Sequence, residues 1–190
     1  MPDEKDLISR LVSSDESAFK ELVTSFRDRV FNTAIGMLQN SGDAEDIAQE
    51  VFIEVFNSIS KFRGESSLST WIYRITVTKS LDFIRRKKRK KRFAFVTSIF
   101  NADDEAINEP VDFFHPGVEA ENRELSAELF KAIEKLPQNQ KIAFTLNKLE
   151  DLSHKEMSEI MNVSVPAIES LLHRAKMNLR ALLSDYYKNT

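Results

Sequence analysis

Apolar side chains recur at intervals of three and four residues through most of this chain, which is the spacing that amphipathic α-helices require. The N-terminal part shows the pattern most continuously: Leu7, Leu11, Phe19, Leu22, Val23, Phe26, Val30, Phe31, Ile35 and Leu38. Only 4 Gly and 5 Pro occur among the 190 residues, which argues against a turn-rich β-sandwich and against glycine-built phosphate loops. The sequence therefore predicts an all-α fold.

A break in the helical pattern divides the chain into three parts. Residues 1–92 form a first helical block, and residues 124–190 form a second. Between them, residues 93–123 show no sustained period and carry seven acidic residues against one Arg, so self-repulsion should extend them. We therefore expect two small helical domains joined by a flexible acidic linker.

Composition and motif content exclude several classes of protein. The chain has no Cys, which rules out a disulfide framework and a cysteine nucleophile and suits a reducing cytosol. The N-terminus is acidic where an export signal would be basic, and no apolar run approaches the ~18 residues of a membrane span. The three His residues lie far apart, without metal-ligand spacing. We expect a cytoplasmic protein that is not an enzyme and binds no metal or cofactor.

Eight consecutive basic residues, from Arg85 to Arg92, contrast with the net charge of −3 for the whole chain. Such a run favours contact with a polyanion, and nucleic acid is the preferred candidate over a solvated basic helix end. Trp71 and Tyr73 precede the run, and aromatic rings beside cations can stack on unpaired bases. A place in the core would explain Trp71 equally well.

A helix predicted from about Asp43 to Ser60 has one apolar and one acidic side. We expect the helix to bury Ile47, Val51, Phe52, Val55, Phe56 and Ile59 in the core, whereas its other side carries Asp43, Glu45, Asp46, Glu50 and Glu54. Acidic residues can form a metal site or an acid pair. Because these line one side of an amphipathic helix, a solvated or partner-binding face is favoured.

The second block contains the spacing of a helix-turn-helix. Ser153 and Glu156 fit a capping box, Asn162 tolerates the left-handed turn that follows, and Ser164 can cap the next helix. The outward candidates for reading base edges are Ala167, Glu169, Ser170, His173, Arg174 and Lys176. A plain three-helix bundle is the alternative, and the zero net charge of this block argues against a self-sufficient DNA binder.

Taken together, these segments resemble the bacterial sigma-70 family, and specifically its extracytoplasmic-function (ECF, group IV) members. The segment from Asp43 to Phe52 is similar to the family's polymerase-binding helix, and Phe62 to Ser66 with Thr70 to Ile75 is similar to its promoter-melting and −10 segment. Residues 136–137 and 152–176 resemble its −35-reading domain.

The resemblance implies three binding surfaces. Core polymerase would be bound by Glu45, Asp46, Gln49, Glu50, Ile53 and Glu54. The −10 DNA would be bound by Arg63, Ser66, Ser67, Trp71, Tyr73, Arg74, Thr78, Lys79, Arg85 and Arg86. The −35 DNA would be bound by Ser164, Ala167, Glu169, Ser170, His173, Arg174 and Lys176.

The implied activity is promoter recognition without catalysis. The implied partners are the clamp and flap regions of core RNA polymerase, promoter DNA and an anti-sigma factor, with no membrane insertion and a monomeric free state. Thr78 and Glu169 stand where many members have Asn and a basic residue, so base preference should differ there. The alternatives are an autonomous dimeric helix-turn-helix regulator, which leaves the first block unexplained, and a helical adaptor without DNA contact, which leaves the basic run unexplained.

Overall fold

The computed structural model describes the backbone of residues 4–100 and 123–188 and the side chains of residues 4–90 and 128–184. Eight α-helices and one 3₁₀ turn make up the regular structure of these ranges, which confirms the all-α expectation. The helices are α1 (Glu4–Val12), α2 (Glu16–Leu38), α3 (Ser41–Ser58), α4 (Leu68–Phe100), α5 (Arg123–Glu134), α6 (Gln138–Lys148), α7 (His154–Met161) and α8 (Val165–Lys188). No helix in the described ranges is both long and apolar enough to cross a membrane.

Helices α1 to α4 form the first domain around an apolar core. Its fully buried side chains include Leu22, Val30, Ile47, Val51, Val55, Leu68 and Ile72. Asp15 caps α2 through its side chain, and Asn40 caps α3 by accepting a hydrogen bond from the Asp43 amide at 2.8 Å. The prediction that Phe56 belongs to the core is wrong, since this side chain is 54% exposed. Its ring meets the ring of Phe19 edge-on at the border of the core.

Helix α4 is longer than the sequence suggests. It begins where Ser67 caps it, with the Ser67 hydroxyl accepting from the Thr70 amide at 3.1 Å. It then continues through the basic run to Phe100, so the expected boundary at residue 92 lies inside a helix. No Gly or Pro stands between residues 68 and 100 to stop it. The remainder of the predicted flexible linker, residues 101–122, lies outside the described residues.

Helices α5 to α8 form the second domain, in which α7 and α8 make the predicted helix-turn-helix. Both hydrogen bonds of the Ser153–Glu156 capping box are present at the start of α7. Asn162 ends α7 in the left-handed conformation with φ 52°, and its amide donates to the carbonyl of Ser158. Because α7 ends so sharply, α8 can start after two further residues and present its own face to the outside.

The left-handed residue at the turn gives a test of the fold. Asn162→Ala should lower the free energy of unfolding by about 1 kcal/mol, because a Cβ without a local hydrogen-bonding group is disfavoured at positive φ. Asn162→Gly should not lower it, because Gly adopts this conformation without that cost. Urea unfolding of both variants checks the pair. Equal losses of stability in the two would contradict a conformational origin.

Candidate nucleic-acid interface

The loop before α4 and the start of α4 hold the first predicted DNA residues. Arg63 and Ser67 are exposed, Ser66 is half-buried, and Gly64 at φ 69° provides the bend between them. The hydroxyl of Ser67 caps α4, so this residue has a structural task at the site as well. The Trp71 ring lies 5.1 Å from the Phe62 ring and packs on the first core. Trp71 thus packs on the core but is only partly buried, so its contact with −10 DNA stays a prediction.

Tyr73 and Arg74 both contact the second domain. Tyr73 is only 2% exposed, and its hydroxyl donates a 2.6 Å hydrogen bond to Oε2 of Glu150 in the segment between α6 and α7. Arg74 Nε donates to the carbonyl of Glu159 in α7 at 2.9 Å. In this conformation the second domain covers the Tyr73 ring, and the expected contact of Tyr73 with DNA stays a prediction.

Further along α4, cations pair with the acidic side of α3. Lys79 Nζ lies 3.0 Å from Glu54, Arg86 lies 3.7 Å from Glu50, and Lys87 Nζ lies 2.7 Å from Asp43. We call these three contacts the α3–α4 ion-pair row. Among them are four residues that the sequence assigned to intermolecular surfaces: Glu50, Glu54, Lys79 and Arg86. The row gives these residues partners within the chain.

Beyond the ion-pair row, part of α4 and part of α3 point away from the domain. Thr78 is exposed, and Arg85 pairs with Asp82 of its own helix at 3.1 Å. Lys88, Arg89 and Lys90 are exposed as well. On α3, the exposed residues form a mixed acidic and apolar face: Glu45, Asp46, Gln49, Ile53 and Phe56. Ile53, at 61% exposed, and Phe56 give this face an apolar centre of a kind common at protein interfaces.

The predicted reading helix α8 carries its candidates on an open face. Ser164 caps the helix by accepting from the Ala167 amide at 3.4 Å. Glu169 lies 3.7 Å from His154, and the Arg174 side chain folds back onto the carbonyl of Ser170 at 3.2 Å. The exposed candidates are Ser164, Glu169, Ser170, His173, Arg174 and Lys176, and Ala167 is half-buried. The described surface of α8 can therefore reach a groove without rearrangement of the helix-turn-helix.

The two predicted domains share one apolar cluster. Met37 of α2 and Tyr73 and Val77 of α4 belong to it. The second domain contributes Ile142, Ala143, Leu146, Met157, Ile160, Ile168 and Leu172. The sequence did not predict this contact. Within the described ranges, the two domains therefore pack against each other.

Burial within this contact raises the pKa of the Glu150 carboxyl to about 7, from an ordinary value of 4.5. The hydrogen bond from Tyr73, the charge of Arg29 and the side chain of Asn32 act in the opposite direction. The same contact raises the pKa of the Tyr73 hydroxyl far above its ordinary range, so Tyr73 stays a neutral donor. A protonated Glu150 therefore stabilises the packed form, and that stabilisation is present below pH 4.5 and disappears as pH rises through 7.

This sign gives a measurable dependence on pH. As pH is raised from about 5 to about 8, the urea midpoint of the wild type should fall relative to that of Glu150→Gln. Gln keeps an oxygen that accepts from Tyr73 but cannot ionise, so it serves as the matched control. Parallel pH profiles for the two proteins would contradict the assignment.

Sequence reasoning missed Gly36, Glu150 and Glu159, all of which lie at the domain contact. Gly36 could have been singled out from the sequence. A Gly inside an amphipathic helix lowers helix stability by about 1 kcal/mol relative to Ala, and it often marks a place where another segment packs closely. Glu150 could not have been singled out, since an acidic residue beside Asp151 suggests an ordinary solvated loop.

Comparison with known proteins matches both domains to described sequence families. Residues 22–90 match the family model described as Sigma-70 region 2, and residues 126–179 match the model described as Sigma-70, region 4. A Bacillus subtilis (strain 168) relative, the ECF RNA polymerase sigma factor SigW, is 31% identical over 185 residues, covering 95% of this chain and 97% of the relative. The ECF RNA polymerase sigma-E factor of Escherichia coli (strain K12) is 32% identical over 174 residues, covering 90% and 88%.

Two solved structures share the fold at lower identity. CnrH, solved in complex with the cytosolic domain of CnrY, superposes with a TM-score of 0.69 at 20% identity and covers 96% of this chain and 97% of its own. The sigma factor RpoE of Bartonella quintana, solved with the anti-sigma factor NepR, gives a TM-score of 0.64 at 19% identity, covering 87% and 96%.

Proposed function

The chain belongs to the sigma-70 family as an ECF-type RNA polymerase sigma factor, and from that premise we propose which surfaces carry out its work. The first domain, residues 1–92, binds the polymerase clamp and opens the −10 element. The second, residues 124–190, binds the flap and reads the −35 element. The chain itself carries out no bond chemistry, and polymerase and promoter are its partners in the cytoplasm.

The observation that carries this proposal is the pair of outward faces on one chain. The first domain presents an exposed acidic and apolar face on α3, and the second presents an uncovered helix-turn-helix. An autonomous regulator would need the second face alone. It would leave both α3 and the match of residues 22–90 without a role, and it is therefore not favoured.

Fewer of the α3 residues predicted to bind polymerase are exposed than the sequence suggested. Glu50 and Glu54 are half-buried and pair with Arg86 and Lys79, so their main effect is to hold α3 against α4. The exposed face is formed by Glu45, Asp46, Gln49, Ile53 and Phe56. We assign the clamp contact to these five residues, with the two apolar side chains at its centre and the polar ones around them.

Charge reversal on this face tests the assignment. Asp46→Lys combined with Gln49→Lys should abolish capture of core polymerase, because both side chains are exposed and would meet the partner directly. Ser25→Lys combined with Asp28→Lys is the matched control, with the same spacing and the same charge change on an exposed part of α2. Co-purification with core polymerase measures the effect, and circular dichroism checks that helicity is retained. Equal capture of both double variants would contradict the face.

The basic run likewise contains residues that form ion pairs with α3 and residues that are exposed beyond those pairs. Arg86 and Lys87 have acidic partners on α3, whereas Lys88, Arg89 and Lys90 extend the helix beyond the ion-pair row. We assign phosphate contacts to these last three and to Arg85. Arg63, Ser66 and Thr78 stay accessible for the −10 bases in the described conformation, and Ser67 is accessible while it caps α4.

The salt dependence of promoter binding tests this division. Replacing Lys88, Arg89 and Lys90 with Gln should reduce the slope of log affinity against log salt by about 0.9 for each phosphate that is no longer neutralised. Replacing Lys20, Arg27 and Lys131 with Gln removes the same charge from exposed sites elsewhere and should leave the slope unchanged. Filter binding of the holoenzyme to a responsive promoter gives both slopes. Identical slopes for the two triple variants would indicate that the basic run is a solvated helix end without phosphate contacts.

The −35 contact is assigned to the open face of α8, through Glu169, Ser170, His173, Arg174 and Lys176, with Ser164 and Ala167 at the helix start. This domain has no net charge, so it gains little from counterion release and should bind DNA weakly alone. We further propose that the free chain is a monomer restrained by an anti-sigma factor. That partner would cover the exposed α3 face, since the same apolar centre must be hidden while polymerase is absent.

A further inference from the structure

Helix α1 has no part in the function proposed above. The match to Sigma-70 region 2 begins at residue 22, after the end of α1. Yet α1 is fixed to the first domain, because Leu7 packs on the core and Leu11 is buried in it. The Arg10 guanidinium adds a polar contact by donating to the carboxylate of Glu21 in α2 at 3.2 Å. A helix held so firmly can in turn hold the segments that touch it.

Helix α1 contacts both ends of the loop of residues 62–67, which we call the pre-α4 loop. The 3₁₀ turn Ile59–Lys61 leads into this loop and packs against α1, and Phe62, the first loop residue, packs on the first core. At the other end, Oε1 of Glu4 accepts a hydrogen bond of 3.0 Å from the backbone amide of Leu68, the first residue of α4. One helix therefore holds the chain on either side of the loop.

The amide of Leu68 gains from such an acceptor. The first N–H groups of an α-helix have no carbonyl partner within the helix. The Ser67 hydroxyl satisfies one of them, the amide of Thr70, at 3.1 Å, and the carboxylate of Glu4 satisfies the amide of Leu68. A carboxylate is a stronger acceptor than a neutral oxygen, and its charge suits the positive end of the helix. The start of α4 therefore depends on α1 as well as on its own capping residue.

The contacts described inside the pre-α4 loop are weaker than those at its ends. Arg63 and Glu65 are exposed and lie 3.9 Å apart, which makes a surface ion pair of little strength. Gly64 has φ 69°, and a Cβ added there would meet no atom within 4 Å. The Ser66 hydroxyl lies 3.4 Å from the carbonyl of Ser67, at the limit of a hydrogen bond. The anchored ends therefore decide where the loop side chains lie.

We propose that Glu4 is a positioning residue for the −10 contact: α1 holds the pre-α4 loop at both ends, and the Glu4 carboxylate fixes the start of α4, so that Arg63, Ser66 and Ser67 are ordered before DNA arrives. An ordered loop loses less conformational entropy on binding, which favours the opened DNA. Glu4 itself touches no DNA. The role in DNA opening rests on the −10 assignment proposed above, whereas the hydrogen bond to Leu68 does not.

Hydrogen exchange at the amide of Leu68 tests the contact without DNA or polymerase. In Glu4→Ala the exchange should be at least about tenfold faster than in the wild type, because a charge-assisted hydrogen bond is lost. Glu4→Gln keeps an acceptor oxygen at the same reach and should keep most of the protection. Asp6→Ala is the matched control, since it removes an exposed carboxylate of the same helix that lies 3.8 Å from Arg10. Equal exchange in the wild type and Glu4→Ala would overturn the proposal.

The rate of promoter opening tests the positioning role. With core polymerase, Glu4→Ala should open a responsive promoter about tenfold more slowly than the wild type, the factor expected for one charge-assisted hydrogen bond. Capture of core polymerase and affinity for the closed promoter should stay at the wild-type level, because Glu4 lies outside both surfaces. Glu4→Gln should restore the opening rate, and Asp6→Ala should leave it unchanged.

Three results would contradict the positioning role in different ways. A normal opening rate in Glu4→Ala, with fast exchange at Leu68, would overturn it and leave the sigma function intact. Parallel losses of polymerase capture and opening would assign Glu4 to the stability of the fold alone. If the wild type with core polymerase opened no promoter, the proposed function would fail and the role of Glu4 in opening with it, even where the exchange data showed the hydrogen bond to be present.

Discussion

Helix α4 carries the two packing contacts on which the rest of the molecule depends. One side, through Leu68 and Ile72, completes the core of the first domain, and another, through Tyr73 and Val77, completes the cluster shared with the second. Since consecutive turns of one helix serve both cores, the segment proposed to contact the −10 element is fixed on its own domain, and the second domain covers part of it. The residues proposed to contact DNA and the residues that pack on the second domain are therefore neighbours on the same helix.

Electrostatics divides the charged residues between folding and binding. On one side of α3, Asp43, Glu50 and Glu54 form ion pairs with α4. The other side of α3 is therefore available to a partner. These pairs are partly exposed and individually contribute little to stability. Their effect is positional, because they fix which acidic and which basic side chains point outward.

Much of this arrangement could be predicted from the sequence. Helical periodicity indicated the all-α fold, and the capping residues Ser153 and Asn162 located the helix-turn-helix. Phe56 was misplaced because amphipathic spacing alone cannot separate a core residue from an exposed apolar contact residue. The domain contact could not be predicted, because apolar residues such as Met37, Tyr73 and Met157 fit the core of either domain, and nothing in a local pattern records which distant helix covers them.

We propose that this chain opens promoter DNA only as part of a polymerase holoenzyme. Unstacking costs about 1.4 kcal/mol per base step, and the neutral second domain offers little affinity to offset it. The most direct measurement is permanganate footprinting of a responsive promoter with the chain alone, with core polymerase alone and with both. Reactive thymines near −10 should appear only when both are present. Reactivity, or tight specific binding of a palindrome, with the isolated chain would contradict the account.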